Sequence, residues 1–202
     1  MSLHKDFNIV VEFKKHWGRV VRYWVAMVTS TRVGAIAANK KVAGDSLPKC
    51  FVMSLSNFGK VNEFIYRGSQ PKKGDYKKLC RFGIRTIIDL RDDPKSYSKF
   101  EAQCAGLHYI NLPMNQRQWP QLSVVREFLT IVNNAEYWPI FIHCAGGRHR
   151  TGAMTAIYRM TYEGWDAEMS YAEMLQYDFF TRWGHKALRN FVYAFYYELA
   201  KK

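Results

Sequence analysis

The sequence predicts an α/β fold in which helices flank a central, mostly parallel β-sheet. From residue 64 onward, short apolar runs that suit buried strands alternate with stretches of helical periodicity. Such alternation is typical of parallel strands that are joined by crossover helices. The chain has 202 residues, of which 48% are hydrophobic, so it is long enough for one domain with a sizeable core and an extension.

The alternating part of the chain divides into four strands and six helices. The strands are predicted at residues 64–67, 86–90, 109–112 and 140–143. The helices are predicted at residues 75–82, around 99–105, at 122–134 after Pro120, from Arg150 onward, at 166–176 and at 186–201. No strand is expected between the last two helices, so the domain is expected to end in a helical tail.

The first 48 residues are predicted to form a basic extension outside this domain. Between residues 7 and 28, apolar side chains recur at spacings of three and four, mostly with basic residues between them, as in an amphipathic helix. Its apolar face is expected to pack on the main domain, to lie on a membrane surface or to bind a partner. The linker-like residues 39–49, NKKVAGDSLPK, place the boundary between an extension of residues 1–48 and a domain of residues 49–202.

The formal net charge of +13 indicates an anionic partner, unless the charge serves solubility alone. Nucleic acid is discounted because no nucleic-acid-binding motif accompanies the charge, which leaves an anionic membrane surface or a phosphate-rich molecule. Arg22 and Arg32 interrupt the best apolar stretch, so no membrane-spanning helix is expected. Neither a metal site nor a disulfide framework is indicated by the spacing of the four cysteines, which are Cys50, Cys80, Cys104 and Cys144. A reducing, cytoplasmic location is therefore expected, with export or association with a membrane surface left open.

The stretch HCAGGRHRTG, residues 143–152, connects a predicted strand to a predicted helix and is expected to bind phosphate. Its glycines let successive backbone amides point inward at the positive end of the helix, and the planar guanidinium of Arg150 suits two phosphate oxygens at once. The phosphate-binding loop is then formed by Ala145, Gly146, Gly147, Arg148 and His149.

Cys144 is expected to be the nucleophile of this loop. Amides, Arg150 and the helix N-terminus all favour a negative sulfur, so the pKa of the thiol is expected to lie well below about 8.5. A thiolate facing a bound phosphate is placed for in-line attack, which gives a cysteinyl-phosphate that water hydrolyses. Thr151 can donate its hydroxyl to the sulfur, and His143 can orient the turn by a hydrogen bond to backbone. The other three cysteines are expected to be inert.

These residues resemble the signature HCxxGxxR[ST]G of the cysteine-dependent protein tyrosine phosphatase superfamily. With His149 before the arginine, and with the upstream stretches NFGKVNEFIYRGSQP and GIRTIIDLRDDP, the chain looks like the atypical dual-specificity phosphatases of plants, fungi and bacteria over about residues 57–180. The resemblance implies the tyrosine-phosphatase fold, no metal or other cofactor, and a phosphatase activity. Members of that group include inositol polyphosphate and pyrophosphate phosphatases, and related bacterial enzymes are phytase-like.

The family's general acid, usually an Asp on the loop before the helix that precedes the signature, has no counterpart here. The corresponding residues 112–122, LPMNQRQWPQL, contain no carboxylate. Three alternatives remain open: Asp92 or Asp93 reaches the same sheet edge, His149 donates as an imidazolium, or the leaving group needs no acid. Asp92 and Asp93 could instead cap a helix or lie solvated in a turn, and His149 could have a structural role.

The excess positive charge favours inositol polyphosphates over phosphotyrosine as substrates. Cations that are predicted at the sheet edge that holds the loop could bind further phosphate groups; besides Arg148 and His149 in the loop, they are Arg117, Arg91, Lys72 and Lys73. The alternatives are a tyrosine or dual-specificity phosphatase acting on phosphoproteins, and a phosphate-binding pseudophosphatase or membrane adaptor that binds without turnover. A rhodanese-like sulfurtransferase or an arsenate reductase fits the complete signature less well.

Overall fold

The computed structural model describes residues 55–201 and contains one five-stranded sheet with helices on both faces. Short 3₁₀ turns at Ala135–Tyr137 and Arg182–Gly184 complete the regular structure. In chain order the strands and α-helices are β1 (Gly59–Lys60), β2 (Ile65–Ser69), α1 (Asp75–Arg81), β3 (Thr86–Arg91), α2 (Ser98–Cys104), β4 (His108–Met114), α3 (Leu122–Val132), β5 (Ile140–Cys144), α4 (His149–Tyr162), α5 (Ala167–Gln176) and α6 (Lys186–Leu199).

The strands lie in the order β1-β2-β5-β3-β4, and all neighbours except β1 and β2 are parallel. The carboxyl ends of the four parallel strands therefore meet at one edge of the sheet. At this edge Ser69 of β2 pairs with Cys144 of β5, and Arg91 of β3 pairs with Met114 of β4. The loops that follow these strands form the part of the molecule where a ligand of an open α/β sheet is expected.

Alternate residues of the central strands face two separate hydrophobic clusters. Ile88 and Ile142 pack with α3, α4 and α6, whereas Ile87 and Phe141 pack with α1 and α2. Because both faces are covered, the strands are apolar nearly throughout, which is typical of parallel sheets. The larger cluster lies beneath α4, and it fixes the helix whose first turn follows the predicted phosphate-binding loop.

The predicted α/β fold is confirmed, and each of the four predicted strands and six predicted helices is present, with ends that differ by no more than two residues. The prediction missed β1, whose two residues are too few to carry a periodic pattern. It is a strand because it pairs antiparallel with β2. The predicted amphipathic helix at 7–28, the linker at 39–49, Cys50 and the domain boundary at residue 49 lie outside the described residues.

No helix within residues 55–201 is long and apolar enough to cross a lipid bilayer. In the same residues, no three side chains of His, Cys, Asp or Glu are grouped so that they could hold a metal ion. The three cysteines of this part of the chain, Cys80, Cys104 and Cys144, are free thiols.

Candidate active site

The loop between β5 and α4 lies at the carboxyl edge of the sheet, with Cys144 as the last strand residue and Arg148 directly before the helix. Gly147 has a φ of +68°, and a Cβ at this position would lie 2.5 Å from the carbonyl carbon of Gly68. Only glycine fits here, for both reasons. At Gly146 a Cβ would meet nothing nearer than the Arg148 side chain at 3.5 Å. The first of the two glycines is therefore sterically replaceable, and the second is not.

Three successive carbonyl groups of the loop are held from outside by donors of residues 57–70. The hydrogen bonds run from Gln70 N to Ala145 O at 3.1 Å, from Asn57 Nδ2 to Gly146 O at 2.9 Å, and from Arg67 Nη2 to Gly147 O at 3.0 Å. In a planar trans peptide the amide N–H points away from the carbonyl oxygen. Each of these three bonds therefore turns the amide of the following residue away from the donor, and together they shape a row of amides that can bind an anion.

Cys144 lies at the base of this loop and is only 4% exposed. Burial by itself raises the pKa of the thiol, but the Thr151 hydroxyl and amide, the Arg150 charge and the Gly147 amide outweigh it and hold the pKa below its ordinary value. The buried Thr151 hydroxyl has no other hydrogen-bond partner among the described residues, so it is available to the sulfur. The arrangement favours a thiolate, as the sequence predicts.

The Arg150 guanidinium, which extends from the first turn of α4, binds groups at the ends of β3 and β4. Its Nη1 donates to Asp92 Oδ1 at 2.6 Å and to the carbonyl oxygen of Met114, at the end of β4, at 3.1 Å. Arg150 is 4% exposed, whereas the Asp92 side chain is about half exposed, at 45%. Of the two aspartates that follow β3, Asp92 is therefore the one that reaches the signature arginine. It caps no helix, since α2 begins after Tyr97.

Asp93 and Arg91 bind each other and not the loop. Arg91 Nη2 and Nε donate to the two carboxylate oxygens of Asp93 at 2.7 and 3.2 Å, and its Nη1 donates to Gln70 Oε1 at 3.0 Å. The Arg91 side chain is buried and all three of its nitrogen groups are engaged, which argues against the predicted role of Arg91 in substrate binding. The hydrogen bonds from Arg91 also hold the pKa of Asp93 below its ordinary value, which makes Asp93 a poor proton donor at neutral pH.

His143 is fully buried beside the loop. Its Nδ1 lies 3.4 Å from the carbonyl oxygen of Cys144 and 3.7 Å from Asp89 Oδ1. Asp89 in turn accepts hydrogen bonds from the Tyr109 hydroxyl at 2.7 Å and from the Arg91 amide at 3.0 Å. Burial lowers the pKa of His143, although Asp89 opposes the shift. This placement suits the orienting role that was predicted for His143.

His149 points into an aromatic cluster at the side of the loop. Its ring stacks on His185 with centroids 3.6 Å apart, and it meets Phe180 edge to face at 4.3 Å. Burial, and then the neighbouring His185, lower the pKa of His149 to about 4. The imidazole is therefore neutral near pH 7, which argues against the alternative in which His149 donates a proton as an imidazolium.

The same cluster connects the loop to residues 115–121, which replace the family's acid-bearing segment. His185 Nδ1 lies 3.1 Å from the carbonyl oxygen of Gln116. The exposed side chain of Arg117 packs on Gly184, since a Cβ added to this glycine would lie 3.1 Å from the Arg117 side chain. Trp183, which has a φ of +54° and is 73% exposed, packs edge to face on Phe180 at 5.3 Å. An arginine and a tryptophan thus flank the side of the loop where His149 lies.

The two predicted lysines follow β2 at the same sheet edge. Both are exposed; the backbone of Lys72 donates to Asp75 Oδ2 at 3.0 Å, and Lys73 Nζ lies 5.8 Å from the Tyr97 ring. Sequence reasoning missed the three residues that hold the loop carbonyls, namely Asn57, Arg67 and Gln70. Arg67 does carry a signal in the sequence, because it is a charged residue inside an otherwise uncharged strand, IYRGS.

Comparison with known proteins places the chain among phosphatases. A probable tyrosine-protein phosphatase of Dictyostelium discoideum is 33% identical over 108 residues, which cover 51% of this chain and 65% of that protein. The inositol diphosphatase DSP4 of Arabidopsis thaliana is 27% identical over 110 residues, covering 51% of this chain and 54% of the other. The chain thus spans from about half to just under two thirds of the length of these relatives.

Solved structures show a likeness of fold. The core catalytic domain of the PP-IP phosphatase SIW14 from S. cerevisiae superposes with a TM-score of 0.62 at 24% identity, covering 70% of this chain and 86% of that domain. A family model described as a DSP-PTPase phosphatase fused to NAD+ kinase matches residues 53–189. That match covers well over half of the chain. The chain therefore belongs to this DSP-PTPase family, within the cysteine-dependent tyrosine phosphatase superfamily.

Proposed function

We propose that this chain is a metal-independent phosphatase that hydrolyses phosphate monoesters through a cysteinyl-phosphate. The observation that carries the proposal is the buried thiol of Cys144, whose pKa is lowered by the loop that would bind the phosphate. A buried cysteine without a catalytic role would have a raised pKa instead. The family to which the chain belongs supports the same activity.

In the first step the loop amides and Arg150 bind the non-bridging oxygens of the phosphate group. The Cys144 thiolate attacks phosphorus in line with the ester oxygen; the S–P bond forms while the P–O bond breaks, and the leaving oxygen takes its electron pair and a proton. Water then attacks the cysteinyl-phosphate, which releases inorganic phosphate and the thiolate. The Thr151 hydroxyl stabilises the sulfur as it leaves, by donating a hydrogen bond.

Asp92 is our candidate for the general acid. It lies 2.6 Å from the signature arginine, and residues 115–121 contribute no carboxylate. Bound phosphate competes with Asp92 for the Arg150 guanidinium, so the carboxyl group is left at the mouth of the loop, where it can give a proton to the leaving oxygen. The remaining alternative is a leaving group, such as a phosphate or an aryl oxygen, that needs no acid.

Inositol polyphosphates and pyrophosphates are the substrates that we favour. The names of an Arabidopsis thaliana and a rice relative as inositol diphosphatases, and of SIW14 as a PP-IP phosphatase, support this class. In this chain Arg117, Lys72 and Lys73 are exposed at or near the loop, and within residues 55–201 Arg148 is held only by a 3.7 Å contact to the exposed Asp178. Cations without strong partners can bind the further phosphates of such a ring.

Phosphotyrosine is the second candidate. Phe180 and the exposed Trp183 next to His149 offer an apolar surface on which the ring of a phosphotyrosine could pack. Several relatives are named as tyrosine-protein or dual-specificity phosphatases. The membrane-adaptor alternative depends on residues 1–48, which lie outside the described residues.

The test is phosphate release between about pH 4 and 8 from inositol hexakisphosphate, an inositol pyrophosphate and a phosphotyrosine peptide. We expect turnover that is abolished in Cys144→Ser and unchanged in Cys104→Ser, because Cys104 is exposed and lies at the end of α2. A higher kcat/KM for the inositol compounds supports the first substrate class. Tight binding without turnover of any of the three would contradict the proposal and indicate a pseudophosphatase.

A further inference from the structure

Arg67 is a fully buried arginine directly behind the phosphate-binding loop. It lies in the middle of β2, is 0% exposed, and donates through Nη2 to the carbonyl oxygen of Gly147 at 3.0 Å. Its guanidinium stacks on the Tyr177 ring at 3.8 Å. Among the described residues, its Nε and Nη1 have no hydrogen-bond partner. Most of the donor capacity of this side chain is thus unused.

A buried guanidinium without a carboxylate partner is costly, and an arginine does not avoid the cost by losing its proton. Burial lowers the pKa of Arg67, and Glu173 opposes the shift from a distance. Glu173 is not free to pair with it, because its carboxylate accepts a hydrogen bond from Arg159 Nη2 at 2.6 Å. After Glu173 and the Tyr177 hydroxyl, the Cys144 thiolate is the next group whose charge favours the protonated guanidinium of Arg67.

We propose that Arg67 is a positioning residue, which holds the phosphate-binding loop in its anion-binding shape and stabilises the Cys144 thiolate and bound phosphate from behind the loop. The inference rests on the phosphatase function proposed above. Two effects are combined in one side chain. Its hydrogen bond fixes the Gly147 carbonyl and so turns the Arg148 amide toward the anion, and its charge acts through a dry, poorly screening interior.

The other two donors on the outside of the loop provide a comparison. Asn57 and Gln70 fix the carbonyls of Gly146 and Ala145, but both act through neutral amide groups. Removal of the Asn57 side-chain amide should disturb the shape of the loop without removing a charge, whereas the Gln70 donor is a backbone amide that a side-chain substitution leaves in place. The Tyr177 ring on which Arg67 stacks packs closely against Gly59, where a Cβ would lie 2.0 Å from the Tyr177 hydroxyl. This contact confines the ring and, through it, the Arg67 guanidinium.

The experiment separates shape from charge with four variants of the full chain. Arg67→Met removes charge and hydrogen bond but keeps bulk, Arg67→Lys keeps the charge, Asn57→Ala removes a neutral donor, and Arg126→Met on α3 is the control. The first readout is the pH dependence of iodoacetamide alkylation of Cys144, followed on its own peptide by mass spectrometry. The second is the dissociation constant of tungstate, a phosphate-like oxyanion.

In Arg67→Met we expect the thiol pKa to rise, so that alkylation at pH 6 slows about tenfold, and tungstate binding to weaken about tenfold or more. Arg67→Lys should keep a thiol pKa near that of the wild type, and Asn57→Ala should weaken tungstate binding with little change in thiol pKa. Arg126→Met should match the wild type in both. Should Arg67→Met not fold, the contrast between Arg67→Lys and Asn57→Ala decides the same question.

Two results would overturn the inference. One is a folded Arg67→Met protein with only a lowered Tm and with wild-type thiol pKa and tungstate binding, which indicates a purely structural arginine. The other is a thiol pKa in Arg67→Lys as high as in Arg67→Met, which excludes the charge. Failure of the phosphatase proposal looks different, because the wild type would then bind tungstate and show a low thiol pKa but release no phosphate.

Discussion

Replacing Asp92 by asparagine removes a carboxylate from the mouth of the phosphate-binding loop and leaves a group of nearly the same shape. Asp92 accepts a 2.6 Å hydrogen bond from Arg150 Nη1. If Asp92 is the general acid, its loss slows the departure of a poor leaving group. If it also competes with phosphate for Arg150, its loss strengthens phosphate binding. The two effects have opposite directions, so Asp92→Asn is a stringent test of the proposed mechanism.

The expected magnitudes follow from chemistry and exposure. A positioned general acid accelerates a reaction by about 10²- to 10⁴-fold. Without it, kcat for inositol hexakisphosphate, an alkyl phosphate, should therefore fall by at least about a hundredfold. For p-nitrophenyl phosphate, whose leaving group needs little protonation, the fall should be less than about tenfold. Because the Asp92 side chain is 45% exposed, its ion pair with Arg150 is worth only about 0.5–1 kcal/mol after screening by solvent. Inorganic phosphate should therefore inhibit the variant about two- to fivefold more tightly.

The assay is steady-state kinetics with both substrates and with phosphate as a competitive inhibitor. Asp93→Asn is the matched control, since Asp93 is the neighbouring carboxylate but binds Arg91; it should stay within about twofold of the wild type. Equal kcat values for wild type and Asp92→Asn on the alkyl phosphate would refute Asp92 as the acid and favour a leaving group that needs none. Weaker phosphate inhibition in the variant would refute the competition for Arg150.

Three further predictions concern the residues around the loop. Gly147→Ala should abolish turnover, because the new Cβ would meet the Gly68 backbone at 2.5 Å. Gly146→Ala should retain turnover, because its Cβ would meet only the Arg148 side chain, at 3.5 Å. The measurement for both variants is kcat/KM. His149 has a folded-state pKa of about 4, below the unfolded value of about 6.5, so its contribution to stability is complete above about pH 6.5 and is lost as the pH falls toward 4. The free energy of unfolding, measured with urea, should fall between pH 7 and pH 5 in the wild type, and this fall should be smaller in His149→Gln by up to about 2 kcal/mol. An equal fall in both proteins would contradict a buried, neutral His149. Trp183→Ala should leave Tm nearly unchanged, since the ring is 73% exposed, but should raise KM several-fold for a phosphotyrosine peptide and not for inositol hexakisphosphate; an unchanged KM for the peptide would exclude Trp183 from the aryl site.

The strands and helices were predictable because their patterns are local. Ile87 and Ile88 face opposite clusters, as a strand buried on both sides requires, and the amphipathic residues 122–132 form α3. The loop was predictable for a different reason. Cys144, Arg150 and the glycines between them lie within ten residues, and all of them serve phosphate binding and nucleophilic attack. Local sequence thus determines both the elements and the nucleophile.

The pairing of charged residues across the sheet edge was not predictable in this way. Asp92 and Asp93 are adjacent and alike in sequence, yet one reaches Arg150 and the other binds Arg91. Arg91 has the same charge as Arg117, but Arg91 is buried while Arg117 is exposed. Which partner a long side chain meets depends on how neighbouring strands end, and periodicity carries no information about that.

The residues that shape the loop from outside are the clearest case. Asn57, Arg67 and Gln70 lie 75 or more positions from the carbonyls that they hold. Arg67 lies in β2 and Gln70 directly after it, so the parallel pairing of β2 with β5 brings these two to the loop. A signature motif therefore describes only the inner surface of a phosphate-binding loop. Because each amide that faces the anion belongs to a peptide whose oxygen faces outward, the loop needs outer donors as much as it needs its glycines. In this chain one of those donors is charged, so shape and electrostatics are coupled through Arg67, and a substitution there should change the chemistry of Cys144 without touching the motif.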